Sequence, residues 1–129
     1  MTIRALICDD DEFIVRLVSD LLSSRGIEVT IAHDGVEAIR MFATQPPDLV
    51  IIDFLMPWMD GLKVIQHIRQ SGTKRNVPII LMSAISRAQI EDENTAHFAD
   101  HFIATPFKVK KMERLVEEAL QKINATKST

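Results

Sequence analysis

Residues 49–53 read Leu49-Val50-Ile51-Ile52-Asp53. Four apolar residues follow one another without polar alternation, and a carboxylate closes the run. Both faces of such a segment are hydrophobic, as a central parallel strand requires when helices cover it on both sides. Two further runs repeat the pattern: Ile3-Arg4-Ala5-Leu6-Ile7-Cys8, followed by Asp9-Asp10-Asp11, and Pro78-Ile79-Ile80-Leu81-Met82, followed by Ser83-Ala84. His101-Phe102-Ile103-Ala104 is a shorter strand ahead of Thr105-Pro106, and Glu28-Val29-Thr30-Ile31-Ala32 is a more polar one suited to a sheet edge. Between the strands lie apolar stripes at helical spacing. They comprise Ile14, Leu17, Val18, Leu21 and Leu22, stopped at Gly26; Val36, Ile39, Phe42 and Ala43, stopped before Pro46-Pro47; Leu62, Ile65 and Ile68; and Val109, Met112, Val116, Ala119, Leu120 and Ile123. A weaker helix is expected over about 86–96, through Ala88, Ile90 and Ala96. Five βα units in strict alternation predict a doubly wound α/β fold: a five-stranded parallel sheet with helices on both faces and right-handed crossovers.

A chain of 129 residues suits one domain, and one of this size buries enough surface to hold a core without disulfide or metal. Hydrophobic residues at 47% and charged residues at 26% exclude wholesale disorder. The single cysteine, Cys8, excludes an internal disulfide and a four-cysteine zinc site. A net charge of −3 argues against direct nucleic-acid binding, which needs a basic footprint. No apolar run approaches the ~18–20 residues of a membrane span, and Met1-Thr2-Ile3-Arg4 does not open a signal peptide, so no membrane association and a cytoplasmic location are expected. From Asn124 the chain turns polar and is expected to fray, which sets a domain over residues 1–124 and a polar tail over 125–129.

In open parallel sheets the chemistry lies beyond the carboxyl ends of the strands. Those ends carry Asp9, Asp10 and Asp11; Asp53; Ser83; and Thr105. One aspartate at a strand end is ordinarily a helix cap, and Asp11 is expected to cap the first helix. Several carboxylates from two strands are different, because like charges are costly to gather without a cation. Hard oxygen donors with open positions suit Mg²⁺, and a carboxylate beside such an ion can attack phosphorus.

The strings Leu6-Ile7-Cys8-Asp9-Asp10-Asp11 and Asp53-Phe54-Leu55-Met56-Pro57-Trp58-Met59-Asp60-Gly61 resemble the receiver domains of two-component response regulators. The resemblance covers about residues 3–123 and includes the spacing to Ser83-Ala84 and Thr105-Pro106-Phe107. It implies the flavodoxin-like (βα)5 fold with strand order 2-1-3-4-5. It implies that Asp53 accepts a phosphoryl group from a sensor histidine kinase or phosphotransfer protein, without the chain being an enzyme in its own right. Asp9, Asp10, Asp53 and the backbone carbonyl of Leu55 would hold Mg²⁺. Ser83 and Phe102 would take the two switch positions, and the output would be a changed surface for a downstream protein or effector domain. That surface would be built from the fourth helix, the fifth strand and the last helix, and a homodimer through it stays open. Pro57 and Gly61 would shape the loop after Asp53, Gly61 by allowing a sharp turn. The resemblance also suggests a cis Thr105–Pro106 bond. Leu55 and Ile85 would flank the phosphoryl group with apolar side chains and slow its hydrolysis.

One position departs from the family. Where receivers carry a lysine before the Pro-Phe pair, this chain has Thr105. A hydroxyl donates a hydrogen bond but brings no charge, and a charge-assisted bond is roughly twice as strong as a neutral one. Lys108 and Arg87 are the cations that could compensate. The alternative reading is therefore a pseudo-receiver, an interaction module with impaired switching. A metal-dependent metabolite phosphatase fits less well, because Leu55 stands where a second acid would be needed. A flavodoxin-type electron carrier lacks its phosphate loop after the first strand. Among the remaining features, His97 and His101 have a helical metal-ligand spacing but straddle a helix–strand boundary. Met56, Trp58 and Met59 form an apolar group beside the site, read first as loop packing. Lys108, Lys110, Lys111 and Arg114 make the start of the last helix basic.

Overall fold

The computed structural model describes residues 2–56, 58–72, 74, 76–85 and 99–127. The elements run β1 (Arg4–Cys8), α1 (Glu12–Ser23), β2 (Glu28–Ala32), α2 (Gly35–Thr44), β3 (Leu49–Asp53), α3 (Gly61–Arg69), β4 (Ile79–Ser83), β5 (His101–Ala104) and a C-terminal helix (Val109–Lys127). All strand pairs are parallel, in the order β2-β1-β3-β4-β5. The polar strand β2 is an edge, and the wholly apolar run of β3 is the centre. The weaker helix expected over 86–96 lies outside the described residues, as do Arg87 and His97.

Side-chain alternation along the strands divides the core in two. Ile7, Ile51 and Ile80 point to the face covered by α1 and the C-terminal helix, where Val18, Leu22, Met112 and Val116 pack. Leu6, Cys8, Val50, Ile52, Ile79 and Leu81 point to the face covered by α2 and α3, among Ala38, Phe42, Ile65 and Ile68. Strands buried on both faces need no polar alternation, which is why their sequences have none.

Three helices start at the carboxyl edge of the sheet on aspartate caps. Asp11 accepts from the N–H groups of Phe13 (2.9 Å) and Ile14 (3.3 Å), Asp34 from that of Glu37 (2.8 Å), and Asp60 from that of Lys63 (2.9 Å). Each satisfies backbone donors that the first turn leaves free. Asp11 therefore serves as the cap its position suggested. At the other end of α1 the chain reverses at Gly26, whose φ of 76° only glycine adopts freely.

The C-terminal helix departs from expectation. It does not fray at Asn124 but runs through Lys127, with Thr126 Oγ1 donating to the Lys122 carbonyl at 3.0 Å. Polar residues alone do not end a helix, and no glycine or proline interrupts this stretch. Among the described residues no helix is long and apolar enough to cross a membrane.

Candidate functional site

Strand register brings the strand-end residues together. Cys8 pairs with Ile52 and Asp53 with Met82, so Asp9 and Ser83 each lie one residue beyond a level shared with β3. Asp9, Asp10 and Asp53 each offer a carboxylate oxygen within 4.8 Å of the others. Asp9 is buried, Asp53 half-buried and Asp10 exposed, so the cluster opens to solvent on one side. Asp9 is held in place by the Asp11 N–H, which donates to its Oδ1 at 2.9 Å.

Among the described residues, the electrostatics are those of a site short of positive charge. Burial is the chief cause that pushes Asp9 up from 3.8 to about 6, with Asp10 and Asp11 adding repulsion. Asp53 is pushed up to about 7, first by burial and then by the charges of Asp9 and Asp10. The backbone N–H groups of Leu55 and Phe54 oppose that rise without cancelling it. A divalent cation would relieve the repulsion, and three carboxylates of mixed exposure suit a hard ion that keeps several water ligands. Cys8, beneath the cluster, is fully buried; burial pushes its thiol above the ordinary range, so it is a packing residue.

The other expected residues surround this cluster. Ser83 closes β4, 1% exposed, and its Oγ accepts from the Ile85 N–H at 2.9 Å. Phe102 is half-buried on β5 and packs with Ile85 and Ala99 against the α2–α3 layer. Thr105 follows β5, half-buried; its N–H donates to the Ser83 carbonyl at 2.8 Å, and its bond to Pro106 is cis. Lys108 is exposed, and its carbonyl accepts from the N–H groups of Lys111 and Met112 as the last helix begins. Leu55 is exposed. His101 faces Glu118 of the C-terminal helix, with Nδ1 3.6 Å from its carboxylate.

Gly61 corrects one expectation. It is not in the left-handed region, so a sharp turn is not its reason. A Cβ there would stand 2.4 Å from the Asp53 carbonyl oxygen, and its N–H donates to the Phe54 carbonyl at 2.7 Å. Glycine lets the start of α3 press against the backbone that carries Asp53. Gly35 likewise lets the start of α2 approach that same loop, where a Cβ would meet Met59 at 2.8 Å. Among the described residues of the loop after Asp53, Trp58 is left-handed (φ 73°) and 87% exposed. Neither close approach has a local sequence signal, because the partner residues are distant in the chain.

Comparison with known proteins agrees with this geometry. Residues 5–117 match the family model described as response regulator receiver domain. The chain is 33% identical over 125 residues to a probable transcriptional regulator, ycf27, of Porphyridium aerugineum, covering 97% of this chain and 51% of that one. It is 34% identical over 112 residues to the response regulator MprA of Mycobacterium tuberculosis, covering 87% and 48%. The chain thus spans about half the length of these curated relatives. Among solved structures, TrrA of Thermotoga maritima in complex with Mg²⁺–BeF superposes with a TM-score of 0.80 at 31% identity, covering 91% of this chain and 98% of that one. The receiver domain of the sensor histidine kinase PA1611 of Pseudomonas aeruginosa, with magnesium coordinated in its active site cleft, gives 0.82 at 27%, covering 94% and 99%.

Proposed function

This chain belongs to the response regulator receiver domain family, and on that premise we propose that it is a phosphorylation-controlled switch whose acceptor is Asp53. The observation that carries the reading is the gathering of Asp9, Asp10 and Asp53 within 4.8 Å at the open edge of the sheet. An ionised oxygen of Asp53 attacks the phosphorus of a phosphohistidine; the P–N bond breaks and its electron pair stays on the imidazole nitrogen. Asp9, Asp10, Asp53 and the Leu55 carbonyl would hold Mg²⁺, which supplies positive charge to the transferring oxygens. The Ser83 oxygen already accepts from Ile85, so its own hydrogen is available to donate to a phosphoryl oxygen. That contact, with Phe102 beside it on an edge strand, would bias the surface around β5 towards a second state. Output to a downstream protein or effector domain follows from that bias.

Intact mass after incubation with acetyl phosphate tests the reading. A single phosphate adduct that requires Mg²⁺ and is absent from Asp53→Asn is expected. No adduct on the wild-type chain, from acetyl phosphate or from a phosphorylated histidine kinase, would sink it.

Thr105 favours a second reading, the pseudo-receiver. Its backbone ties β5 to Ser83, yet its side chain brings no charge to a site whose carboxylates are already raised. If the adduct forms but the amide spectrum of β5 and the C-terminal helix does not change, the switch is lost and Thr105 is the residue to replace with lysine.

A further inference from the structure

A hollow of about 530 Å³ opens at the amino edge of the sheet, the pole away from the aspartate cluster. One wall is the last turns of the C-terminal helix. Because that helix continues through Lys127, Thr126 joins Lys122 and Ile123 on the wall. The other wall lies between α3 and β4, where Val77 and Pro78 lead into the strand. Lys74 fixes this wall from a left-handed backbone position (φ 52°). Its carbonyl accepts from the Val77 N–H at 3.1 Å, and its Nζ donates to Asp48 at 2.7 Å. The hollow is therefore formed before anything enters it, and its volume is that of a small-molecule site.

Its lining joins an apolar floor to surplus positive charge. Val77 and Ile123 are each 5% exposed, with Pro78 beside them. The charged lining residues are Asp48, Lys74 and Lys122, and Lys74 neutralises Asp48. Lys122 Nζ donates to Asp100 Oδ1 at 3.0 Å, but Arg69 Nη2 already holds the other oxygen of Asp100 at 2.9 Å. Two carboxylates thus face three cations among the described residues, in a chain whose net charge is −3. Arg69 is the more buried of the two cations on Asp100, so the surplus charge is presented by Lys122. An ammonium has three N–H donors, and Asp100 takes one of them. An apolar floor with a surplus cation at its edge selects a molecule that is apolar over most of its surface and anionic at one end.

We propose that this hollow binds a small organic anion: a flat apolar body against Val77, Pro78 and Ile123, with its one carboxylate, sulfonate or phosphate group on Lys122. The proposal does not rest on the reading of Asp53 as acceptor. The same geometry offers a way to close the site. Gly72 lines the hollow, is not left-handed, and a Cβ added to it meets nothing within 4 Å. Gly72→Phe is therefore accommodated without backbone strain and takes up space a ligand needs.

Two probes test this: anilinonaphthalene sulfonate and phenylnaphthylamine, the same rings without the anionic group. Each is titrated into the folded full chain while amide spectra record where it binds. The sulfonate should bind saturably and one-to-one, shifting amides around Gly72, Val77 and Ile123 and leaving those around Asp9 and Asp53 in place. It should bind about fivefold tighter than phenylnaphthylamine. Lys122→Met should remove that about fivefold preference and Lys122→Arg should retain it, because both cations reach an anion. Gly72→Phe should weaken both probes by about tenfold or more, by exclusion. These variants lie on different walls, and a dispersed amide spectrum shows that each is folded; if one fails to fold, the other decides. Absence of saturable binding overturns the proposal, as do shifts centred elsewhere, equal affinity for the two probes, or unchanged binding by Gly72→Phe. A wild-type chain that self-associates through these residues and excludes both probes also overturns it, assigning the hollow to a second copy.

Discussion

A Cβ placed on Gly61 would stand 2.4 Å from the Asp53 carbonyl oxygen and 3.1 Å from Phe54 Cα, both backbone atoms that cannot swing aside. Gly61→Ala must therefore move either α3 or the end of β3. Overpacking of this kind costs about 1–3 kcal/mol, to be read in denaturant unfolding. With Asp53 as the proposed acceptor, its misplacement should also cut labelling by acetyl phosphate by about tenfold or more. Asp53 itself has the opposite sign. Its ionisation, like that of Asp9, is raised in the folded protein, so the native state holds protons that the unfolded chain releases above its ordinary carboxylate range. In EDTA, stability should then be highest near pH 4, fall as pH rises to about 7, and level off above it. Asp53→Asn should flatten much of that slope and stabilise the metal-free protein at pH 7.5. After discounting for screening at a half-buried site, the gain is on the order of 1–2 kcal/mol. Thermal melts across pH in EDTA decide it; a slope that rises with pH would refute the assignment of strain to this cluster. The carboxylates were legible in the sequence because three aspartates after apolar runs have few other reasons to gather. The role of Gly61 was not, since residues 53 and 61 meet only once α3 has docked.

At the scale of elements, the strands were legible because continuous apolar runs leave a buried parallel strand as their natural reading, and the helices because their stripes repeat every three or four residues. What ties neighbouring elements together was not. Asp100 has no sequence signature, yet it fastens three of them at the amino edge. Its Oδ2 receives Arg69 Nη2 of α3 at 2.9 Å and the Ile79 N–H of β4 at 2.8 Å, and its Oδ1 receives Lys122 Nζ of the C-terminal helix at 3.0 Å. Arg69 also donates to the Val77 carbonyl at 2.6 Å. The partners lie 21 to 31 residues away in the chain, so only the folded sheet reveals the node. Asp100→Ala leaves the mostly buried Arg69 guanidinium without its carboxylate and removes the acceptor of the Ile79 N–H. A loss of about 2 kcal/mol is expected, below the range for fully buried pairs because Asp100 is partly exposed. Asp100→Asn should recover part of it, since an amide oxygen still accepts from Ile79. Urea midpoints at unchanged m-value would check both; an Asp100→Ala loss under 0.5 kcal/mol, the scatter of ordinary surface changes, would remove the node from the account.

The molecule as a whole is polarised. Its carboxyl edge gathers charge that repels itself, while its amino edge gathers charge that is paired. Asp48, just before β3, is buried and accepts from the Arg4 N–H at 2.9 Å and from Lys74 Nζ at 2.7 Å. Asp53 closes β3, and at about 3.3 Å per residue the backbones of the two aspartates are roughly 16 Å apart. One strand thus begins at a stabilising aspartate and ends at a destabilising one. Sites so far apart with no shared partner should contribute independently. Asp48→Asn weakens a charge-assisted pair and is expected to cost about 1–2 kcal/mol, while labelling of Asp53 below the melting temperature stays within twofold of wild type. In EDTA at pH 7.5 the double variant Asp48→Asn/Asp53→Asn should show the sum of the two single effects, of opposite sign, within about 0.5 kcal/mol. Added Mg²⁺, acting at the proposed site of Asp9, Asp10 and Asp53, should stabilise Asp48→Asn by the same increment as wild type, because the increment depends only on metal concentration and affinity at that far edge. A coupling energy above 1 kcal/mol between the two aspartates would mean that the strand transmits strain from one pole to the other. The separation of a chemical edge from a structural edge would then be wrong.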